Sequence, residues 1–126
     1  MKDRRIEIHF GDRVLEGLLN YSRTADLIWG SLPLNGDCSV WGGEIYFGTP
    51  VQFEEEPESS EVVQIGDLAY WPPGQAMCLF FGNTPASIGS EIRAISPVNV
   101  IGRIEGSLDF LMEIKAGNQI AVENVS

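Results

Sequence analysis

The chain has 126 residues, and its 18 acidic and 8 basic side chains give a formal net charge of −10. A surface that negative repels phosphate backbones and anionic lipid, which argues against nucleic acid or a membrane surface as the partner. The length suits one domain with one core, which we place over residues 1–126. No apolar run is long enough for a membrane span, and the charged N-terminal segment has no signal-peptide core, so we expect a cytoplasmic protein.

The first segment alternates between apolar and polar residues. Ile6, Ile8 and Phe10 occupy every second position, which predicts a half-buried strand. Gly11–Asp12 is a turn signal, and a second strand over 13–19 would complete a hairpin.

A helix is predicted next. Ser22 and Thr24 are suitable capping residues because their hydroxyls accept the free N–H groups of a first helical turn. Pro33 would end the helix. Between them lies an apolar stripe at helical spacing, formed by Ala25, Ile28, Trp29 and Leu32.

The middle of the chain predicts short strands and an acidic loop. Residues 40–41 and 44–49 read as two strand segments around Gly42–Gly43, where we expect a bulge or a tight bend. Residues 54–60, EEEPESS, predict an exposed acidic loop with no role beyond solvation, followed by a short strand over 61–65.

The segment GDLAYWPPGQAMCLFFG, residues 66–82, contains two apolar runs. Leu68–Trp71 and Met77–Phe81 predict strands, and Pro72-Pro73-Gly74 predicts the loop between them. Cys78 lies inside the second run and is expected to be a small core residue rather than half of a disulfide with Cys38.

The C-terminal part predicts a loop, two strands and a helix. Asn83–Ser96 is expected to be a long loop, and Val98–Ile104 a strand. Ser107 would cap a short helix, and 120–125 would form the closing strand. The total of eight or nine short strands with two helices predicts a mainly β protein, either a closed barrel or a sandwich.

Three stretches resemble a known family, the small prokaryotic cyclophilin-like proteins. They are WGGEIYFGTPV (Trp41–Val51), GDLAYWPPGQAMCLFFG (Gly66–Gly82) and SPVNVIGRIEGSLDFL (Ser96–Leu111). The resemblance implies a closed eight-stranded cyclophilin-like β-barrel with two short helices. In such a barrel, side chains fill the interior and the ligand groove lies on the outer wall.

Cyclophilins isomerise X-Pro bonds, against a barrier of about 20 kcal/mol. The family's catalytic arginine matches the region Asp37–Tyr46 of this chain, which contains no arginine. His9, the one histidine, lies on the first strand and is expected to be exposed. Arg93 and Arg103 read as surface charges, although either is a conceivable substitute for the lost arginine.

A candidate binding groove remains, formed by Trp41, Glu44, Tyr46 and Phe81. Alternation places Glu44 and Tyr46 on one face of their strand, and the cost of burying a carboxylate favours the outer face. The resemblance places Phe81 at the groove and Phe80 inside. The alternative interpretation treats Trp41, Tyr70 and Trp71 as core or rim aromatics, Phe81 as a core residue and Glu44 as a plain surface carboxylate.

Ile45 and Phe47 alternate with these residues and are therefore expected in the core. No group of His, Cys, Asp and Glu has the spacing of metal ligands, and no cofactor motif is present, so neither a metal nor a cofactor is predicted.

Three functions are consistent with this pattern. The first is a binding module for a peptide or a small molecule that lacks the usual catalytic arginine. The second is a weak or atypical peptidyl-prolyl cis-trans isomerase, since an apolar prolyl pocket gives some rate by desolvating the amide. The third is a structural or interaction protein that forms a homodimer through exposed aromatic surface.

Overall fold

The computed structural model describes residues 3–125 of the chain. In this part of the chain there are ten strands, one α-helix and two short 3-10 helices. The strands are β1 (Arg4–Phe10), β2 (Arg13–Leu19), β3 (Leu34–Asp37), β4 (Ser39–Trp41), β5 (Glu44–Gly48), β6 (Ser60–Val63), β7 (Asp67–Trp71), β8 (Ala76–Phe80), β9 (Ile92–Glu105) and β10 (Gln119–Asn124). The helix α1 spans Arg23–Ser31, and the 3-10 helices span Pro72–Gly74 and Asp109–Glu113.

The N-terminal elements match the predictions. β1 and β2 form an antiparallel hairpin whose turn includes Gly11 at a φ of 64°, and Ile6, Ile8 and Phe10 are buried. Ser22 caps α1, because its hydroxyl accepts the N–H of Ala25 at 3.2 Å. The helix is too short to cross a bilayer, and no other helix within residues 3–125 is long and apolar enough to do so.

The strands form one sheet in the order β3-β10-β1-β2-β9-β7-β8-β5-β4, and β6 pairs separately with β9. The sheet is strongly curved, since Gly36 of β3, at one end of the strand order, lies against the ring of Phe47 of β5 near the other end. Among the described residues, however, β3 and β4 end the ladder and do not pair with each other. A closed eight-stranded barrel is therefore not shown. The physical reason is that β4 folds back through Gly42–Gly43 and occupies the free edge of β5.

The sheet is apolar on both faces. The inner face carries the main core, which includes Ile45, Phe47 and Tyr70. The outer face carries a second, smaller core of Val63, Ala69, Cys78, Phe80, Ile92, Ala94 and Val98. Ile45 and Phe47 are thus core residues, as predicted, and Cys78 is a buried free thiol, as is Cys38.

The long strand β9 explains the second core. Residues 99–105 pair with β7 and β2 in the main sheet, whereas residues 92–98 pair with β6. We call β6 and residues 92–98 the covering strands, because their apolar side chains pack on the outer face of the sheet. The prediction of a loop over Asn83–Ser96 is therefore wrong for its last part. Ile92 and Ala94 alternate with Arg93, but this short pattern did not predict a strand because Pro97 and several polar residues surround it.

The acidic loop before β6 is anchored rather than simply solvated. The hydroxyl of Tyr70 donates to the carbonyl of Val51 at 2.6 Å. The buried side chain of Asn99 accepts the N–H of Glu56 at 2.9 Å and donates to the hydroxyl of Thr24 at 3.0 Å. That hydroxyl donates in turn to the Glu56 carboxylate at 2.6 Å. The loop therefore joins the helix to β7 and β9 through satisfied polar groups.

The predicted C-terminal helix is a single 3-10 turn. Ser107 does accept the N–H of Asp109 at 3.2 Å, but the following residues form the 3-10 helix Asp109–Glu113. The closing strand is β10, which pairs with β1 and β3.

The turn between β4 and β5 generates the first testable prediction. A Cβ added at Gly43 would lie 2.2 Å from the carbonyl carbon of Gly82, whereas one added at Gly48 meets nothing within 4 Å. We expect Gly43→Ala to lower the free energy of unfolding by about 3 kcal/mol or more, because backbone faces backbone. Gly48→Ala should change it by less than about 1 kcal/mol. Urea unfolding of both variants measures this, and equal midpoints would contradict it.

Candidate functional site

Three of the four predicted groove residues lie side by side. Trp41 of β4 and Glu44 of β5 are directly opposite each other in the antiparallel ladder, so their side chains share a face. Tyr46 follows two residues later on that same face, which is the outer face of the sheet. The turn at Gly42–Gly43 therefore brings these three side chains together.

They form one wall of a pocket between the sheet and the covering strands. We call it the aromatic pocket, and its lining residues are Trp41, Glu44, Tyr46, Trp71, Ala94, Ile95 and Val98. Its volume is about 110 Å³. An apolar cavity of about 150 Å³ accommodates benzene, and pockets for drug-sized ligands run to about 300–1,000 Å³. The pocket is therefore suited to a single side chain or a small head group.

Trp71 is the pocket residue that the sequence interpretation missed as a site residue. Its indole N–H donates to the hydroxyl of Ser96 at 2.6 Å, which ties the end of β7 to β9. Its ring also lies over Gly74, where an added Cβ would come within 2.4 Å of it. In the sequence, the spacing of two residues between Ala69 and Trp71 indicates that both side chains lie on the same face of β7. That spacing assigns Trp71 to the pocket only when β7, β8 and β5 are known to be neighbours in the sheet.

Glu44 lies on the outer face, as predicted, but it is not a surface carboxylate. Only 7% of the residue is exposed, because the covering strands close over it. Among residues 3–125, no Lys, Arg or His forms an ion pair with it. A buried carboxylate without a cationic partner is costly to keep ionised.

Burial raises the pKa of Glu44 from its ordinary value of 4.5 to about 7, and a hydrogen bond from the Cys78 thiol partly opposes that shift. Burial and the adjacent Glu44 raise the pKa of Cys78 well above its ordinary value, so the thiol stays protonated. Its Sγ is also 3.8 Å from the carbonyl oxygen of Ala76. The pocket therefore contains a carboxyl group that changes charge near neutral pH.

The faces assigned to Phe80 and Phe81 are reversed in the structure. Phe80 lies directly opposite Glu44 and is fully buried in the second core. Phe81 follows the end of β8 and packs against the main core. The predicted groove residues are thus divided between two sites, because the resemblance placed Phe81 on the outer face, whereas the pairing of Phe80 with Glu44 gives that position to Phe80.

Phe81 lines a separate depression with residues of the β4–β5 turn and the 3-10 helix Asp109–Glu113. The other residues of this Phe81 depression are Val40, Gly42, Gly43, Gly82, Asn83, Leu111, Met112 and Ile114. None of these side chains is charged, and the depression is more open than the aromatic pocket.

Neither candidate replacement for the catalytic arginine lines either site. The guanidinium of Arg93 hydrogen-bonds the carboxylate of Glu91, with its terminal nitrogen at 3.2 Å, and lies 3.7 Å from Glu61. Arg103 lines a different depression beside Asp67. Within the described part of the chain, the aromatic pocket therefore has no guanidinium or imidazole to donate to an amide.

A possible set of metal ligands lies elsewhere, on β1 and β10. Donor atoms of Glu7, His9 and Glu123 lie within 4.8 Å of one another. The Nε2 atom of His9 is 3.2 Å from Glu7 and 3.7 Å from Glu123, on a partly exposed face. The hydrogen bond between the His9 imidazole and the Glu7 carboxylate accounts for this group, and no further feature of the described residues marks it as a metal centre.

Glu44 generates a prediction about stability. The folded state binds the proton of Glu44 more tightly than the unfolded state does. The contribution of Glu44 to the free energy of unfolding is therefore complete at pH 4 and is lost as the pH rises toward 8. A shift from 4.5 to about 7 corresponds to about 3 kcal/mol. Glu44→Gln mimics the protonated form and should remove this loss.

Urea unfolding at pH 5 and pH 8 measures the effect in both proteins. Asp67, whose pKa is also raised by burial, is common to both and cancels in the difference. We expect the variant to gain stability over the natural chain at pH 8 and to gain little at pH 5. The same difference at both pH values would contradict the prediction.

Comparison with known proteins agrees with this architecture. The sequence model of the family described as Cyclophilin-like matches residues 4–123. The solution structure of a hypothetical protein from Archaeoglobus fulgidus is similar, with 42% sequence identity and a TM-score of 0.82, and the alignment covers 98% of this chain and 95% of that chain. No curated protein matches the chain. Since the family match runs from β1 into β10, the chain belongs to the Cyclophilin-like family.

Proposed function

We propose that this protein is a binding module that uses the aromatic pocket to hold one side chain of a peptide or a small molecule, without efficient prolyl isomerisation. The observation that carries the proposal is the lining of the pocket. Trp41, Tyr46 and Trp71 provide aromatic surface, and Glu44 is the one carboxyl group among the lining residues. Ligand sites are typically apolar clefts with a few convergent polar groups.

The alternative function, a weak or atypical prolyl isomerase, needs a group that weakens amide resonance. A donor placed near the prolyl nitrogen or the preceding carbonyl would do this, and the peptide bond otherwise keeps a barrier of about 18–20 kcal/mol. Arg93 is engaged by Glu91 and Glu61, and Arg103 lies at another depression. Glu44, the carboxyl group of the pocket, donates a hydrogen bond only in its protonated form and loses this donor as it ionises near pH 7.

The third function, association with a second copy, draws support only from exposed apolar side chains. Ile95 at the edge of the pocket, Ile88 and Met112 are each more than half exposed, but they belong to different parts of the chain. Single exposed apolar residues are ordinary on protein surfaces. The pocket, in contrast, combines three aromatic rings and a buried carboxyl group in one place.

The proposal predicts binding without catalysis. NMR exchange of an Ala-Pro peptide should show no acceleration by catalytic amounts of protein. A set of N-acetyl amino-acid methylamides with apolar, aromatic, acidic and basic side chains should include at least one that shifts the indole N–H signals of Trp41 and Trp71. For fragments of this size we expect a Kd of about 1 mM.

Two variants identify the site. Trp41→Ala should abolish the shifts at Trp71, whereas Phe81→Ala should leave the affinity within about twofold, because Phe81 lies outside the aromatic pocket. Met112→Ala is a matched surface control, since that residue is 80% exposed. Accelerated exchange would overturn the proposal in favour of an isomerase. Shifts confined to the Phe81 depression would contradict the assigned site, and fragment-independent self-association in a sedimentation run would favour the homodimer.

A further inference from the structure

The walls of the aromatic pocket share one electrostatic property. The faces of Trp and Tyr rings carry negative potential from their quadrupoles, and Trp41, Tyr46 and Trp71 all line the pocket. Glu44 adds a carboxylate when it is ionised, and Ala94, Ile95 and Val98 add no donor on their side chains. The ring faces and the Glu44 carboxylate are therefore the negative elements of the lining, and no lining side chain carries a positive charge.

We propose that the ligand is an organic ammonium cation whose charged group lies among the rings of Trp41, Tyr46 and Trp71 and faces the Glu44 carboxylate. This inference rests on the proposed function and names the chemical class of its ligand. Aromatic walls with a nearby carboxylate recognise methylated and quaternary ammonium groups through cation–π attraction, which is worth about 2 kcal/mol or more when the cation is desolvated.

The size of the pocket agrees with this class. A volume of about 110 Å³ suits a branched head group with a few carbon atoms, such as a trimethylammonium group, and not a larger ring system. A quaternary ammonium group also needs no hydrogen-bond acceptors, so the apolar side chains of the covering strands leave no polar group of the head group unsatisfied.

The chain's own cations do not compete for the pocket. Arg4 stacks over Tyr21 and Arg13 over Phe110, with the guanidinium carbon at 4.3 Å and 5.0 Å from the ring centroids. Arg93 is paired with Glu91 and Glu61. Within residues 3–125, none of the three rings in the pocket is stacked under an arginine or lysine. The formal net charge of −10 also attracts cations toward the surface as a whole.

Anions and neutral ligands are less suitable. An anion would lie beside the Glu44 carboxylate in a site of low dielectric, where like charges repel strongly. A neutral ligand would give the ionised form of that group no opposite charge, whereas a cation would. The titratable groups that face Glu44 are the Cys78 thiol on β8 and the Tyr46 phenol on β5, while β4 and the covering strands contribute Trp41, Ala94 and Val98.

Cation binding should therefore depend on pH. The raised pKa of Glu44, about 7 in the free protein, means that the carboxyl group is mostly neutral at pH 6 and mostly ionised at pH 8. Because a cation binds the ionised form, binding should release a proton near pH 6, and the affinity should rise about tenfold between pH 6 and pH 8.

A matched pair of probes tests the inference. Choline and 3,3-dimethylbutan-1-ol have the same shape, but the first has a quaternary nitrogen where the second has a carbon. Each is titrated at constant ionic strength, at pH 6 and pH 8, with the indole N–H signals of Trp41 and Trp71 as the readout. We expect choline to bind at least tenfold more tightly than the alcohol at pH 8, and to lose most of that preference at pH 6.

Glu44→Gln should reduce the preference for choline over the alcohol to about twofold and remove the dependence of that preference on pH. Trp41→Ala should weaken both probes. Equal or tighter binding of the alcohol at pH 8 would overturn the inference and leave the binding module intact. If neither probe binds but an N-acetyl amino-acid methylamide does, the cation inference alone fails. If no probe or methylamide shifts either indole signal, both proposals fail.

Discussion

Strand β9 belongs to two layers of the molecule, and the other features of the site depend on this arrangement. Its residues 99–105 complete the main sheet between β2 and β7, while residues 92–98 turn away and pair with β6. Ile92 and Ala94 then pack on the outer face of the sheet and create the second core. Without these covering strands the outer face would be an exposed apolar surface, and Glu44 would be a solvated carboxylate.

The buried carboxyl group of Glu44 is energetically unfavourable for the folded state. Glu44 lies beside the apolar second core, where a Leu or Met at position 44 would avoid the cost of burying a charge. Natural proteins place such costly groups at functional sites more often than elsewhere, because a site needs a group held ready in a low-dielectric environment. The position of Glu44, facing three aromatic rings, is consistent with that reasoning.

Family membership and function are separate questions in this protein. The scaffold is that of the Cyclophilin-like family, yet the region from Asp37 to Tyr46 has no arginine, and Arg93 and Arg103 lie away from the pocket. A fold can host many unrelated functions, so the geometry of the site has to carry the functional argument. In this chain the β4–β5 turn presents aromatic side chains and a carboxylate to the aromatic pocket.

Local sequence patterns determined the first hairpin, the capped helix and the strands around Pro72–Gly74, because alternation, capping residues and turn residues act over a few positions. Alternation also placed Glu44 and Tyr46 on a common outer face, but the supporting argument from the cost of burying a carboxylate was wrong, since Glu44 is buried. Only the tertiary structure decided that this face is covered, that Trp71 joins it, and that Phe81 belongs to a different depression. It also decided that β4 ends the sheet. Each of these outcomes depends on contacts between distant segments, above all the pairing of β9 with β6, and the burial of Glu44 and its raised pKa follow from that pairing.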